Sequence, residues 1–186
     1  MVLELNEVLL RDERQTLSLM AKSGELTCLT GGTAQQRSRW LYAIMGLDVI
    51  LHGFVCIDGE PLTEYSAVSF RRLMAFSPAR LETCGEVNKY APPSVQDVFN
   101  LQANREQPIS NGILGEEVRR IGVDGNESQV QLMAVAVLLG KPVLLVDNPP
   151  EQSFAYLSSQ ARKGKLVVVT SDCPVFINGA DMVVEL

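Results

Sequence analysis

The chain has 186 residues, of which 46% are hydrophobic and 20% charged, a composition that excludes an intrinsically disordered protein. Its 16 basic and 22 acidic residues give a formal net charge of −6, which argues against nucleic-acid binding through a basic face. This length predicts one domain over residues 1–186. No stretch reaches the ~20 apolar residues that a membrane helix needs, so we expect no direct membrane insertion.

The sequence also indicates a reducing, cytoplasmic compartment. No basic start followed by an apolar run opens the chain, so no secretory signal is expected. The four cysteines, Cys28, Cys56, Cys84 and Cys173, form no closely spaced pair. We therefore expect free thiols.

Apolar runs of strand length alternate with helical patterns along most of the chain. In chain order these predict a strand over Leu26–Thr30, a helix over Ser38–Leu47, strands over Phe54–Ile57 and Leu73–Ser77, a helix over Glu127–Leu139, a strand over Pro142–Asp147, a helix over Pro150–Arg162, and strands over Leu166–Thr170 and Met182–Leu186. The runs ending at Asp147 and Thr170 are almost wholly apolar, which is typical of parallel strands buried on both faces. The last strand is expected at an edge.

The middle of the chain differs in composition and predicts a helical insertion. Residues 80–125 contain several prolines and glycines, with short amphipathic segments over Val95–Leu101 and Gly115–Ile121. The core is expected over residues 1–79 and 126–186. The fold class is therefore α/β, with a mainly parallel central sheet, antiparallel N-terminal strands and a reduced helical insertion.

A glycine-containing loop joins the first predicted strand to its helix in the context of a P-loop. Gly31 and Gly32 follow the strand, and Ser38 stands at the hydroxyl position of the pattern G-x-x-x-x-G-K-[ST]. Asp147 ends an apolar strand, as the metal-binding aspartate of a Walker B motif does. A working P-loop holds phosphates with backbone N–H groups, and its hydroxyl binds Mg²⁺. Gly31-Gly32 as a plain tight turn, and Ser38 as an ordinary first-turn helix residue, remain open alternatives.

The order and spacing of further segments resemble the nucleotide-binding domain of an ABC transporter. The matching segments are 16–26 before the loop, 46–47 and 53–62 after its helix, 70–78 before the Q-loop, 138–149 around Walker B, 167–172 at the switch strand and 180–184 at the closing strand. The resemblance covers nearly the whole chain. It implies the P-loop NTPase-like fold of ABC ATPases.

The resemblance also implies ligands and partners. ATP would contact the loop residues Gly31, Gly32, Thr33, Gln36, Arg37, Ser38 and Arg39, and Mg²⁺ would contact Ser38 and Asp147. The partners would be a membrane permease subunit and a second ABC subunit. The chain would then lie at the inner face of the membrane through the permease.

Most positions that the family uses for catalysis carry other residues. Gln36 replaces the second glycine of the loop, and Arg37 replaces its lysine. Ala79 replaces the Q-loop glutamine, Asn148 the glutamate after Walker B, and Ser171 the switch histidine. The segment 124–128 does not match the family signature L-S-G-G-Q. An asparagine cannot serve as a general base, so we expect no catalytic residues and no ATP hydrolysis.

Three functions follow from these departures. The first is a regulatory or structural partner of a permease, with weak or no nucleotide binding. The second is an interaction module that uses only the ABC scaffold, and the third is an active ATPase with atypical motifs. We also expect Arg37 and Asp147 to form an ion pair at the mouth of the loop, since each would otherwise lack a counter-charge.

Overall fold

The computed structural model describes residues 1–80, 109–122 and 128–186. Its strands are β1 (Val2–Leu10), β2 (Leu17–Lys22), β3 (Leu26–Thr30), β4 (Ile50–Ile57), β5 (Glu60–Pro61), β6 (Met74–Ser77), β7 (Val143–Asp147), β8 (Leu166–Thr170) and β9 (Met182–Glu185). Its helices are α1 (Ala34–Ile44), α2 (Ala67–Leu73), α3 (Asn111–Ile121), α4 (Ser128–Leu138), α5 (Phe154–Arg162) and α6 (Pro174–Gly179), with a 3-10 helix over Glu151–Ser153.

The strands form two sheets of different type. An antiparallel sheet has the order β2-β1-β4-β5, and a parallel sheet has the order β6-β7-β8-β3-β9. The predicted α/β class, with a parallel sheet and antiparallel N-terminal strands, is confirmed. The last strand lies at an edge, as expected. The carboxyl ends of β7, β8 and β3 are neighbours, so the residues that follow these strands meet at one edge.

The parallel sheet has a hydrophobic core on each face. Val143 and Leu145 of β7 face a cluster built with α1 and the antiparallel sheet. The alternate residues, Leu144 and Val146, face a second cluster built with α3, α4, α5 and α6. This explains why β7 is buried at every position, because successive side chains of a strand point to opposite faces.

Several predicted boundaries shift for local reasons. Helix α1 begins at Ala34 rather than Ser38, because Thr33 caps its first turn, and it ends before Gly46, which has φ of 69°. Strand β4 begins at Ile50, four residues before its predicted start, by pairing with β1. The predicted helix from Pro150 is instead a 3-10 helix followed by α5.

Helix α3 is anchored to the core by a buried polar contact as well as by apolar packing. The Tyr156 hydroxyl of α5 donates a short hydrogen bond to the Glu117 carboxylate of α3, and Arg120 donates to its other oxygen at 2.9 Å. Val118 and Ile121 of the same helix pack into the second cluster. Glu117 and Tyr156 are both buried, and burial together with the neighbouring carboxylate raises the pKa of the phenol.

Some sequence predictions lie outside the described residues. These are the amphipathic segment over Val95–Leu101, Cys84 and most of segment 124–128, which stands at the position of the family signature. Cys28 and Cys56 are buried free thiols, and Cys173 is half-buried and free. Across the described ranges, the helices are too short or too polar to cross a bilayer.

We expect Tyr156→Phe to lower the free energy of unfolding by about 1–3 kcal/mol, because the buried Glu117 carboxylate loses one of its two hydrogen-bond donors and keeps only Arg120. Urea unfolding measures the change. Tyr65→Phe is the matched control, since the Tyr65 side chain is exposed. Equal stability of the two variants would show that the Tyr156–Glu117 bond does not hold α3 to the core.

The same bond predicts a pH dependence. The folded-state pKa of Tyr156 is raised, so the folded protein favours the neutral phenol. Its contribution is therefore complete below the unfolded pKa of about 10 and is lost as the pH rises above it. Between pH ~9 and ~11, the parent should lose more unfolding free energy than Tyr156→Phe does. Parallel losses would contradict the assignment.

Candidate functional site

The candidate site lies at the carboxyl edge of the parallel sheet, where β3 passes into α1. Gly31 and Gly32 have φ of 79° and 56°, a backbone region that glycine adopts without strain. A Cβ on Gly31 would lie 3.1 Å from Glu185 Cγ, so the turn also packs closely against the last strand. The Gly-Gly sequence therefore meets a local backbone requirement, independent of any ligand.

Thr33 and Gln36 close the loop on itself. The Thr33 hydroxyl accepts the Gln36 N–H at 3.2 Å, and the Gln36 side-chain oxygen accepts the Thr33 N–H at 2.9 Å. This reciprocal pair is a capping box. The Gln36 amide also donates to Glu13 at 3.3 Å. Two of the backbone donors that a P-loop offers to phosphate are thus satisfied by protein atoms.

Arg37 points back into the loop. Its guanidinium Nη1 donates to the carbonyl oxygens of Gly31 and Gly32 at 3.1 and 3.3 Å, and Nη2 donates to Asp172 Oδ2 at 3.1 Å. Arg37 is only 2% exposed, whereas the Asp172 side chain is 74% exposed. The cation is therefore buried in the loop, and its counter-charge lies at the surface.

The predicted ion pair between Arg37 and Asp147 is wrong. Asp147 is occupied by two hydroxyls: Ser38 Oγ lies 2.8 Å from Oδ2, and Thr170 Oγ1 donates to Oδ1 at 2.7 Å. Thr170 faces Asp147 across the β7–β8 pairing. These neutral donors satisfy the buried carboxylate. Arg37 pairs instead with Asp172, which follows the end of β8.

Further contacts order the end of β7. Asn148 has φ of 46° and is exposed, and its N–H donates to Thr170 Oγ1 at 2.9 Å. The Gln129 amide of α4 donates to the carbonyls of Asp147 and Asn148 at 3.0 and 2.8 Å. Thr170, Asp172 and Gln129 were not predicted as site residues from the sequence. The positions of Thr170 and Asp172 at the end of a predicted strand could have indicated them, but nothing in the sequence pattern indicated Gln129.

The remaining predicted positions have separate surroundings. Ser171 is buried, and its hydroxyl accepts the Cys173 N–H at 3.0 Å. Ala79 is half-buried beyond β6. Arg39 donates to Asp48 at 2.8 Å and to the Arg11 carbonyl at 2.7 Å, which ties the β1–β2 connection to the segment after α1.

Two pKa shifts follow from these contacts. The hydrogen bond from Arg39 lowers the pKa of Asp48. Burial raises the pKa of the Cys28 thiol to about 11, even though Arg37 opposes the shift. Cys28 is therefore a neutral thiol at pH 7 and supplies no counter-charge to the guanidinium.

A cavity of about 340 Å³ opens beside the loop. Its apolar lining comes from Leu17, Trp40 and Leu186. Its charged lining residues are the acids Asp12, Glu13 and Glu185 and the base Arg14. This excess of carboxylates repels anions. The wall next to the loop is therefore unfavourable to the phosphates of a nucleotide.

The loop as it stands does not fit nucleotide phosphates. Its carbonyls bind a guanidinium, and the Thr33 N–H binds the Gln36 side chain. Ser38 and Asp147 do lie together as a hydroxyl and a carboxylate, the donor types that hold Mg²⁺ in nucleotide enzymes. Mg²⁺ in such sites also relies on substrate phosphates, so this pair alone makes a weak site.

Comparison with solved structures identifies the architecture. A putative ABC transporter ATP-binding protein from Pyrococcus furiosus matches with a TM-score of 0.74 and 12% identity, covering 100% of this chain and 98% of that one. An ATP-binding subunit of an ABC transporter matches with a TM-score of 0.72 and 16% identity, covering 100% and 86%. The protein has the fold of an ABC transporter ATP-binding subunit.

Further relatives agree with this fold. The structure of cbiO1 from Clostridium perfringens, part of the ABC transporter complex cbiONQ, matches with a TM-score of 0.68 and 13% identity, covering 98% of this chain and 83% of that one. Ribose import ATP-binding protein RbsA from Shigella dysenteriae serotype 1 (strain Sd197) is 22% identical over 91% of this chain and 38% of its own length. RbsA 2 from Escherichia coli O157:H7 is 23% identical, covering 91% and 39%.

The chain thus spans about two fifths of the length of the curated relatives it matches. No protein-family model matches it. The resemblance to ABC ATP-binding subunits, first indicated by the order of the sequence motifs, is confirmed by these relatives and by the fold.

We expect Asp147→Ala to lower the free energy of unfolding by about 1–3 kcal/mol, because the buried Thr170 hydroxyl loses its charged acceptor, whereas Ser38 keeps the Ala34 carbonyl at 2.9 Å. The effect requires no metal, so unfolding in EDTA measures it. In double-mutant cycles, Asp147→Ala should couple to Ser38→Ala and be additive with Arg37→Met. Coupling between Asp147→Ala and Arg37→Met would instead indicate an Arg37–Asp147 ion pair and would contradict the observed contacts of these two residues.

Proposed function

We propose that this chain is a non-hydrolysing ABC-type subunit that acts as a structural or regulatory partner of a membrane permease. The observation that carries the proposal is the position of Arg37. Its guanidinium is buried against the two glycine carbonyls of the loop and is already paired with Asp172, so the cation at the lysine position of the P-loop pattern is bound by protein atoms.

The residues at the catalytic positions support the same proposal. Asn148 has no basic group to activate water, and Ala79 has no polar side chain. The Ser171 hydroxyl accepts a backbone N–H from the segment that leads into α6. Phosphoryl transfer depends on positioned groups that stabilise developing charge, and these three positions lack the glutamate, glutamine and histidine that the family uses.

Ser38 and Asp147 stand at the positions that the family uses for Mg²⁺, and their hydrogen bonds support a structural role for them in this chain. Both side chains hydrogen-bond within the protein, and Thr170 completes the network. The network joins α1, β7 and β8 at the edge where nucleotide would bind. We infer that it now stabilises the scaffold, and that ATP and Mg²⁺ are at most weak ligands.

The proposed partner contacts follow the family architecture. We propose a core over residues 1–79 and 126–186 with an insertion over 80–125, whose counterpart in the family faces the permease. Helix α3 belongs to this insertion and is anchored to the core through Glu117 and Tyr156. Association with a permease would place the chain at the cytoplasmic side of the membrane, and a second ABC subunit is the further partner that the resemblance implies.

We expect calorimetric titration of the protein with Mg-ATP to give no saturable heat at millimolar nucleotide, and its ATPase rate to equal that of a blank. Asn148→Glu should leave the rate unchanged, because the phosphate loop remains occupied by Arg37. A steady-state rate that disappears in Asp147→Ala would contradict the proposal. Co-purification with a co-expressed permease tests the proposed partner. If the protein binds other proteins but not the permease, the alternative of a free interaction module is favoured.

A further inference from the structure

The loop that would bind phosphate holds one buried cation and one surface acid. The Arg37 side chain is 3% exposed and the Asp172 side chain 74% exposed. Within the part of the chain that the structure describes, Asp172 is the single ion-pair partner of Arg37. Among the described residues, the acid in contact with this guanidinium is therefore Asp172, whose side chain lies at the surface and is accessible to anions from solution.

The other neighbours of Arg37 do not neutralise it. The Gly31 and Gly32 carbonyls are dipoles, the Cys28 thiol is neutral, and Asp147 binds Ser38 and Thr170. The Nε atom is buried and has no hydrogen-bond partner among the described residues. A buried cation without a counter-ion is costly, so the loop favours an anion next to Nη2.

We propose that Asp172 is an autoinhibitory residue that occupies the anion position of the loop and keeps oxyanions away from Arg37. The proposal rests on the proposed function, since it explains how a loop with a cation is prevented from binding phosphate. It assigns Asp172 a role in exclusion, through Arg37, and not in catalysis. The ligand class that it excludes is a tetrahedral oxyanion, either free or as the terminal phosphate of a larger molecule.

The geometry makes Asp172 a displaceable competitor. The exposed Asp172 side chain follows β8 and binds Arg37 through one oxygen at 3.1 Å, not through the two parallel bonds of a bidentate pair. Its carboxylate lies in water, so anions in solution can compete with this single bond. Removing the carboxylate leaves the buried Arg37 cation without its counter-charge, which lowers the free energy of unfolding, and leaves the Nη2 group available to an anion from solution.

The test is a phosphate titration of Asp172→Asn by calorimetry, at constant ionic strength set with chloride. We expect about twofold to fivefold tighter phosphate binding than in the parent, the size expected when a competing ion pair is lost. Sulfate should behave as phosphate does. The emission of the single tryptophan, Trp40 in α1, checks that the helix is folded.

Matched variants separate this role from a general charge effect. Glu64→Gln removes the same charge from an exposed position and should bind phosphate as weakly as the parent. Asp172→Glu keeps a carboxylate at this position and should bind phosphate as weakly as the parent. The double variant Arg37→Met with Asp172→Asn should lose the gained binding, because the cation is gone. Equal phosphate affinity in the parent and Asp172→Asn, or a gain that survives Arg37→Met, would overturn the proposal.

A titration with ATP distinguishes a free oxyanion from the terminal phosphate of a nucleotide as the excluded ligand. In Asp172→Asn, ATP without Mg²⁺ should bind no better than inorganic phosphate, because Gln36 still occupies the Thr33 N–H and the adjoining cavity is acidic. Much tighter ATP binding would identify a nucleotide as the excluded ligand. Saturable Mg-ATP binding by the parent would refute the proposed function, whereas failure of the phosphate arm alone would refute only the role of Asp172.

Discussion

The contact between the Arg37 guanidinium and the Gly31 and Gly32 carbonyls determines the state of the candidate site. The two left-handed glycines set the path of the loop, and the buried cation fills its interior. The loop therefore resembles a phosphate-binding loop in its backbone position, while its buried cation is paired with Asp172 and its Thr33 N–H with the Gln36 side chain.

The edge of the sheet can hold this charge because most of its buried polar groups have partners of suitable chemistry, the Arg37 Nε atom being an exception. Asp147 has two hydroxyls, Arg37 has two carbonyls and a carboxylate, and Thr170 bridges Asp147 to the Asn148 N–H. Removing a partner from a buried charged group costs more than the net value of the interaction. The network therefore gives these polar residues a structural role at the end of the parallel sheet.

The layered core supports this edge. Strands β7 and β8 are buried on both faces, so their carboxyl ends are rigidly positioned between the antiparallel sheet and the helical layer. Helix α1 packs on one face through Trp40 and Leu41, which fixes the helix end that carries Arg37 and Ser38. On the other face, α3 adds a polar anchor through Glu117.

The sequence by itself determined the fold class, because strict apolar runs at β7 and β8 and a Gly-Gly turn before an amphipathic helix leave few architectures open. The resemblance to ABC ATPases also implied that Ser38 and Asp147 lie together, as the family's hydroxyl and metal aspartate. The sequence could not determine which acid Arg37 would choose. Asp147 ends one buried strand and Asp172 follows another, and the choice came from Thr170, whose hydroxyl satisfies Asp147 across the β7–β8 register. Such pairings depend on side-chain direction and local hydrogen-bond competition, which only the tertiary structure decided.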